Sequence, residues 1–225
     1  MKREPELRAL DASLRRRFRV AETPVRFPDR TLSVAHPASA EDLIDEREFE
    51  RDERLPYWAE LWPSARVLGG HILRMNGGGQ RLLELGCGAG LVATCASIAG
   101  FDVTATDYYE DALAFARVNA WRNGAQPIHT QAVDWRALKA PPEQFDVVIA
   151  SDVLYERPYG PLVAQAIDLF LAQRGHAILA DPGRVARDEF LADVRARGFQ
   201  VSETKVPYRE GAVRQTITLY RMHRE

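Results

Sequence analysis

Glu84 and Asp107 bracket the stretch best equipped for chemistry, with Leu85-Gly86-Cys87-Gly88-Ala89-Gly90 following the first of them. In such a stretch Gly86 and Gly88 let the main chain bend sharply and approach a ligand, because no Cβ stands in the way. Carboxylates flanking the bend accept hydrogen bonds from hydroxyl and ammonium groups, so the chemistry implied is capture of a small molecule that carries both. Leu91 falls where a GxGxxG dinucleotide motif has its third glycine, which argues against a pyrophosphate ligand. Further on, Asp134 could accept from an adenine amino group and Trp135 could cover the ring. The competing reading for that pair is a turn aspartate followed by a core tryptophan.

The elements that must position these residues are legible as short apolar runs alternating with helical stretches, the pattern of an α/β fold built on a mostly parallel sheet. The runs are 81–85, 101–106, 127–133, 145–150, 176–180, 199–205 and 214–220. Helices are expected over 90–99, 110–122, 161–173 and 185–197, the second ending at Asn123-Gly124 and the fourth at Gly198. Only VPYREGA and Val213 separate the last two runs, too little for a crossover helix, so they should pair antiparallel through a loop. Upstream, residues 19–34 read as a hairpin around Pro28-Asp29, and 40–54 as a heavily charged helix. Pro63 suits a first helical turn, and Ala65, Leu68, Ile72 and Met75 recur at helical spacing before Gly77, Gly78 and Gly79. The expected organisation is an N-terminal extension, 1–55, packed on a main domain, 56–225.

Composition narrows the classes. A chain of 225 residues with 46% hydrophobic and 28% charged residues has the make-up of an ordinary globular domain. No apolar run approaches the roughly 20 residues of a spanning helix, and a net charge of -2 offers no electrostatic footprint for nucleic acid. The charged N-terminus lacks the features of a secretory signal, so a cytoplasmic protein is expected; the expected assembly is a monomer or weak dimer. Cys87 and Cys95 are too few for a disulfide framework, and the scattered histidines lack ligand spacing, so no metal is expected.

S-adenosylmethionine fits the bracketed bend: it carries an ammonium, a carboxylate and ribose hydroxyls but no pyrophosphate. Glu84 would then accept near the ammonium end and Asp107 would take the ribose hydroxyls. The order ELGCGAG, TATD, VDW and SDVLYE resembles the class I methyltransferases, a family that includes protein lysine methyltransferases. LPYWAELWPSA and LADPGR are similar to segments of the calmodulin-lysine and electron-transfer-flavoprotein lysine methyltransferases. The resemblance implies a Rossmann-like, mostly parallel seven-stranded sheet with a C-terminal antiparallel hairpin strand and helices on both faces. By position it places Trp62 against the cofactor, Gly86, Cys87 and Gly88 in a cradle for its methionine end, Asp107 at the ribose and Trp135 at the adenine. Ser151 would contribute from its backbone, and Asp152 and Tyr155 match a D-x-x-Y element beside the transferred methyl group. Helix capping and core packing compete as the role of that last pair.

Methyl transfer from a sulfonium is an in-line displacement, so such an enzyme mainly aligns the partners and supplies an unprotonated nucleophile. A lysine amine, charged at neutral pH, would need a desolvating pocket, for which Trp58, Trp62 and Tyr155 are candidates, with Asp152 to orient it. For Tyr57 and Trp58, docking of the N-terminal segment on the sheet is the favoured alternative. A substrate role for Asp181 is open. The leading expectation is therefore methylation of a protein lysine, with small-molecule N- or O-methylation as the alternative. A non-catalytic cofactor-binding module forms the other class.

Overall fold

The computed structural model describes residues 3–39, 43, 56–141 and 143–224; apart from Leu43, the charged stretch 40–54 lies outside them. A seven-stranded sheet has the order β5-β4-β3-β6-β7-β9-β8. Its strands are β3 (Arg81–Leu85), β4 (Asp102–Asp107), β5 (His129–Ala132), β6 (Phe145–Ser151), β7 (Leu171–Asp181), β8 (Gln200–Glu210) and β9 (Val213–His223). The pairs from β5 across to β7 are parallel, and β9 runs antiparallel to both β7 and β8. This is the mostly parallel, Rossmann-like sheet with a C-terminal antiparallel hairpin that the resemblance implies.

Because successive side chains of a strand face opposite ways, a strand buried on both faces must be apolar throughout. Leu83 and Val148 turn towards helices α5 (Tyr159–Phe170) and α6 (Arg187–Ala196), packing with Ile167 and Phe190. Their chain neighbours Leu82 and Val147 turn the other way, onto Leu68 of α2 (Pro63–Ile72) and Val92 of α3 (Leu91–Ile98). Each such fully buried leucine or isoleucine contributes about 1.5–3 kcal/mol. The sheet is thus clamped from both sides, and its carboxyl-end loops are fixed relative to one another.

Two expected boundaries are corrected. The helix assigned to 161–173 stops at Phe170, because β7 begins at Leu171 and crosses a register irregularity opposite Phe145 and Val147. Gly175 permits that irregularity, since a Cβ there would lie 2.6 Å from the Asp146 carbonyl oxygen. The loop assigned to VPYREGA shrinks to the turn Gly211-Ala212, with Val206 to Glu210 paired to β9. Those residues lie past the end of β7, so only their partner strand holds them extended.

The N-terminal helix α1 (Arg3–Arg17) and the hairpin of β1 (Val20–Phe27) and β2 (Arg30–Pro37) pack on α4 (Glu110–Arg122). Leu14, Val25, Leu32 and Val34 bury against Leu91, Phe115 and Val118. The outer edge of β2 is covered by side chains that imitate a strand. Asn119 Oδ1 accepts from the Ala35 N–H at 2.8 Å, and its Nδ2 donates to the Ala35 and Ala89 carbonyls, each at 2.8 Å. Asn123 repeats the pattern on Ser33 at 2.9 Å in both directions. One amide, fully buried, therefore ties the hairpin to the glycine-rich bend.

Asn119→Ala should lower the unfolding free energy by about 3 kcal/mol in urea titration, since several buried backbone groups lose their partner. An unchanged midpoint would mean that water replaces the amide. No helix among the described residues is long and apolar enough to cross a membrane.

Candidate active site

The chain leaves β3 for β4 on one side and later returns to β6 on the other. This makes a topological switch point, where strand ends diverge and leave a crevice. A cavity of about 410 Å³ occupies it, within the range of small-molecule sites. Every candidate named from the sequence lines this cavity except Glu84 and Asp181.

At one end lies the bend. Gly88 has φ 51°, and a Cβ on it would come within 3.0 Å of the Trp58 carbonyl oxygen. Gly90, at φ 80°, lies so close to α4 that a Cβ would meet that of Ala116 at 2.4 Å. Glycine is thus required twice, for backbone approach and for packing. The Gly88 N–H donates to Asp107 Oδ2 at 2.9 Å, and the Tyr109 N–H donates to Oδ1 at 3.1 Å. Asp107 is oriented by both bonds, and the Tyr108 N–H acts on it as well. Burial pushes its pKa up, against the pull of those N–H groups.

Glu84 stands behind the bend, 1% exposed, with Oε2 buried and lacking a protein partner. Burial, reinforced by nearby Asp107, raises its pKa well above the usual carboxylate range. It is not a residue of the cavity wall. The Cys87 thiol is likewise pushed up by burial, so it remains protonated and is no nucleophile. Asp134, expected at the adenine, lines the cavity but is already engaged. It accepts the Arg136 N–H at 2.9 Å, capping a single helical turn over Trp135–Ala137, and pairs with the Arg136 guanidinium, also at 2.9 Å.

The other end is aromatic. Edge-to-face contacts run from Trp62 to Tyr57 at 6.1 Å between centroids, on to Tyr155 at 5.2 Å, Tyr159 at 5.0 Å and Trp135 at 5.6 Å. Such a row is rigid and mostly apolar, and its last member, Trp135, reaches the bend, where a Cβ on Gly86 would lie 3.4 Å from the indole. Burial raises the Tyr155 pKa, with a contribution from Tyr159. Trp58 packs on Phe18 and Phe115 and so docks the N-terminal segment, while both Tyr57 and Trp58 line the cavity.

Asp152 follows Ser151 at the end of β6. Its φ of 59° is the one left-handed value among described non-glycine residues, a strained conformation that aspartate tolerates better than most. Oδ1 accepts from Arg184 Nε at 2.6 Å, and Oδ2 is buried with no partner among the described residues. Helix capping, the competing role for Asp152, is not what it does. Sequence reasoning did not single out Tyr159, Arg136 or Arg184 as site residues. Only the position of Arg184 after a strand end that borders the cleft carried a signal.

A crevice at the switch point of a mostly parallel sheet, with a glycine bend and a paired acid at one end, defines an α/β domain that holds a nucleoside-like small molecule. A model of the methyltransferase domain family matches residues 76–218, and the chain belongs to that family. It is 30% identical to protein N-lysine methyltransferase METTL21A of Danio rerio, over 76% of this chain and 84% of that one. Identity to the ubiquinone biosynthesis O-methyltransferase of Photobacterium profundum is 29%, over 52% of this chain and 50% of the relative. The electron transfer flavoprotein beta subunit lysine methyltransferase of Danio rerio is 27% identical, over 57% of this chain and 51% of its own length. These last two matches span about half of the relatives' lengths. Among solved structures, N-methyltransferase NodS of Bradyrhizobium japonicum, in complex with S-adenosyl-L-homocysteine, shares the fold. Its TM-score is 0.58 at 19% identity, over 82% of this chain and 97% of that one.

Proposed function

We propose that the protein transfers a methyl group from S-adenosylmethionine to the side-chain amine of a protein lysine. The observation that carries this reading is the single cavity joining Asp107 beside a glycine bend to Asp152 within an aromatic wall. The cradle fits the cofactor: Gly88 leaves main chain bare where a Cβ would crowd the Trp58 carbonyl, and the Gly88 and Tyr109 N–H groups hold the Asp107 carboxylate, an acceptor for ribose hydroxyls, at the cavity wall.

When bound, S-adenosylmethionine supplies an electrophilic methyl group on a sulfonium. Asp107 would hold the ribose, Gly86, Cys87 and Gly88 the methionine end, and Trp135 the adenine, with Trp62 against the cofactor and Ser151 contributing from its backbone. Glu84 would act from behind the bend. At the far end, Tyr57, Trp62 and Tyr155 exclude water around the acceptor, and Asp152 orients its N–H. The cavity wall also carries Glu60 and Glu156, so the acids Glu60, Asp107, Asp134, Asp152 and Glu156 outnumber the bases Arg136 and Arg184. That balance favours a cationic acceptor over an anionic one.

Residues 56–225 would form the catalytic unit, with 1–55 an extension braced on it. A cytosolic setting suits the two buried, free cysteines. The second reading, O- or N-methylation of a metabolite, draws support from the ubiquinone O-methyltransferase relatives.

Tritiated S-adenosylmethionine incubated with the protein and a lysate of its source cells separates the two. Label is expected in acid-precipitated protein and, after hydrolysis, in methyl-lysine. Label confined to the solvent-extractable fraction would favour the metabolite reading.

A further inference from the structure

The following inference rests on the lysine reading and concerns Arg184. The Asp152 side chain is 3% exposed, and a carboxylate so buried is costly unless compensated. Arg184 compensates it, through the 2.6 Å bond to Oδ1 and with its guanidinium carbon 5.1 Å from the Trp62 ring centroid. The base of that arm is fixed. Asp181 Oδ2 accepts the N–H groups of Gly183 at 2.6 Å and Arg184 at 3.0 Å, in a turn where Gly183 takes φ 102°. Asp152 thus has one oxygen committed to a permanent cation and one, Oδ2, uncommitted.

An amine acceptor makes two opposed demands. It needs an acceptor oxygen to aim its N–H, and it must lose its proton to become a nucleophile. A bare carboxylate meets the first demand and works against the second, because it stabilises the ammonium form. The other charged groups around this end mostly add to that effect. Glu60 and Glu156 line the same cavity, Asp107 lies at its far end, and Asp181 is buried close enough to Asp152 for the two charges to act on each other. Arg136 is paired with Asp134, and the phenols of Tyr57, Tyr155 and Tyr159 add no positive charge. Arg184 is therefore the cation placed to offset Asp152.

We propose that Arg184 neutralises Asp152, so that the same carboxylate orients a lysine amine without holding it as ammonium. The amine passes its proton to water before it attacks. Arg184 is a positioning residue, acting through Asp152 and setting the pH at which the acceptor becomes reactive.

The test is the initial rate of tritium transfer from S-adenosylmethionine into lysate protein between about pH 6 and about pH 10, for the wild type, Arg184→Gln and Arg184→Lys. S-adenosylhomocysteine affinity is measured alongside by calorimetry. The glutamine variant should move the rising alkaline limb upward by about one unit, making it about tenfold slower near neutrality and recovering at high pH. Its S-adenosylhomocysteine affinity should stay within about threefold of wild type, and the limb of the lysine variant should not move. Arg184→Met, similar in length, takes the place of the glutamine variant if that one fails to fold. An unmoved limb in a folded, ligand-binding variant overturns the inference and leaves the lysine reading intact. A wild type that labels no lysine removes that reading, and the inference with it.

Discussion

Asp107→Ala is expected to weaken S-adenosylmethionine binding by about two to three orders of magnitude in calorimetry. Hydrogen bonds to a charged group are worth about 1.5–3 kcal/mol each, and about 1.4 kcal/mol is a factor of ten. Two ribose hydroxyls would lose their acceptor, and the Gly88 and Tyr109 N–H groups would lose the oxygens that hold the bend in shape. The same residue sets a pH dependence. Its folded-state pKa is raised by burial, so protonation on acidification removes the acceptor earlier than for an ordinary aspartate. Affinity should therefore fall as the pH is lowered, starting above the usual aspartate range, and the alanine variant should lose that dependence. An alanine variant that binds as tightly as wild type would displace the cofactor from this end of the cavity.

Asp152→Asn separates binding from transfer. Asparagine is chosen because residue 152 has φ 59°, which it tolerates, whereas alanine would add about 1 kcal/mol of strain. The variant should fold and bind S-adenosylhomocysteine within about threefold of wild type, since Asp152 lies at the acceptor end. Transfer should drop about a hundredfold, the scale on which a misplaced acceptor slows an aligned displacement. Loss of the charge also frees the Arg184 guanidinium to wander from the Trp62 face. Full activity in this variant would move the acceptor site elsewhere.

Several parts of the molecule were decided locally. Helix α4 matches the expected 110–122 because its acidic first turn and the Asn123-Gly124 stop lie within the helix and its immediate neighbours. The β1–β2 hairpin turns at Pro28-Asp29 for a similar reason, and the central strands are apolar on both faces as a doubly covered sheet demands. The glycine bend was also readable, because a turn that takes φ 51° at Gly88 and 80° at Gly90 favours residues without a Cβ.

What the tertiary structure alone decided are the meetings between distant parts of the chain. Arg184 reaches Asp152 only because β6 and β7 are neighbours in the sheet. Asn119 serves as a surrogate strand only once the hairpin lies against α4, and the aromatic row forms only when the segment around Tyr57 crosses the strand ends. Glu84, expected near the ammonium end of the cofactor, is buried behind the bend, since pattern places a strand end but not the layer into which its side chain turns. Periodicity and turn chemistry are local and are written into short windows of sequence. Ion pairs, ring contacts and burial depth depend on which elements become neighbours, a choice made by the packing of the whole chain.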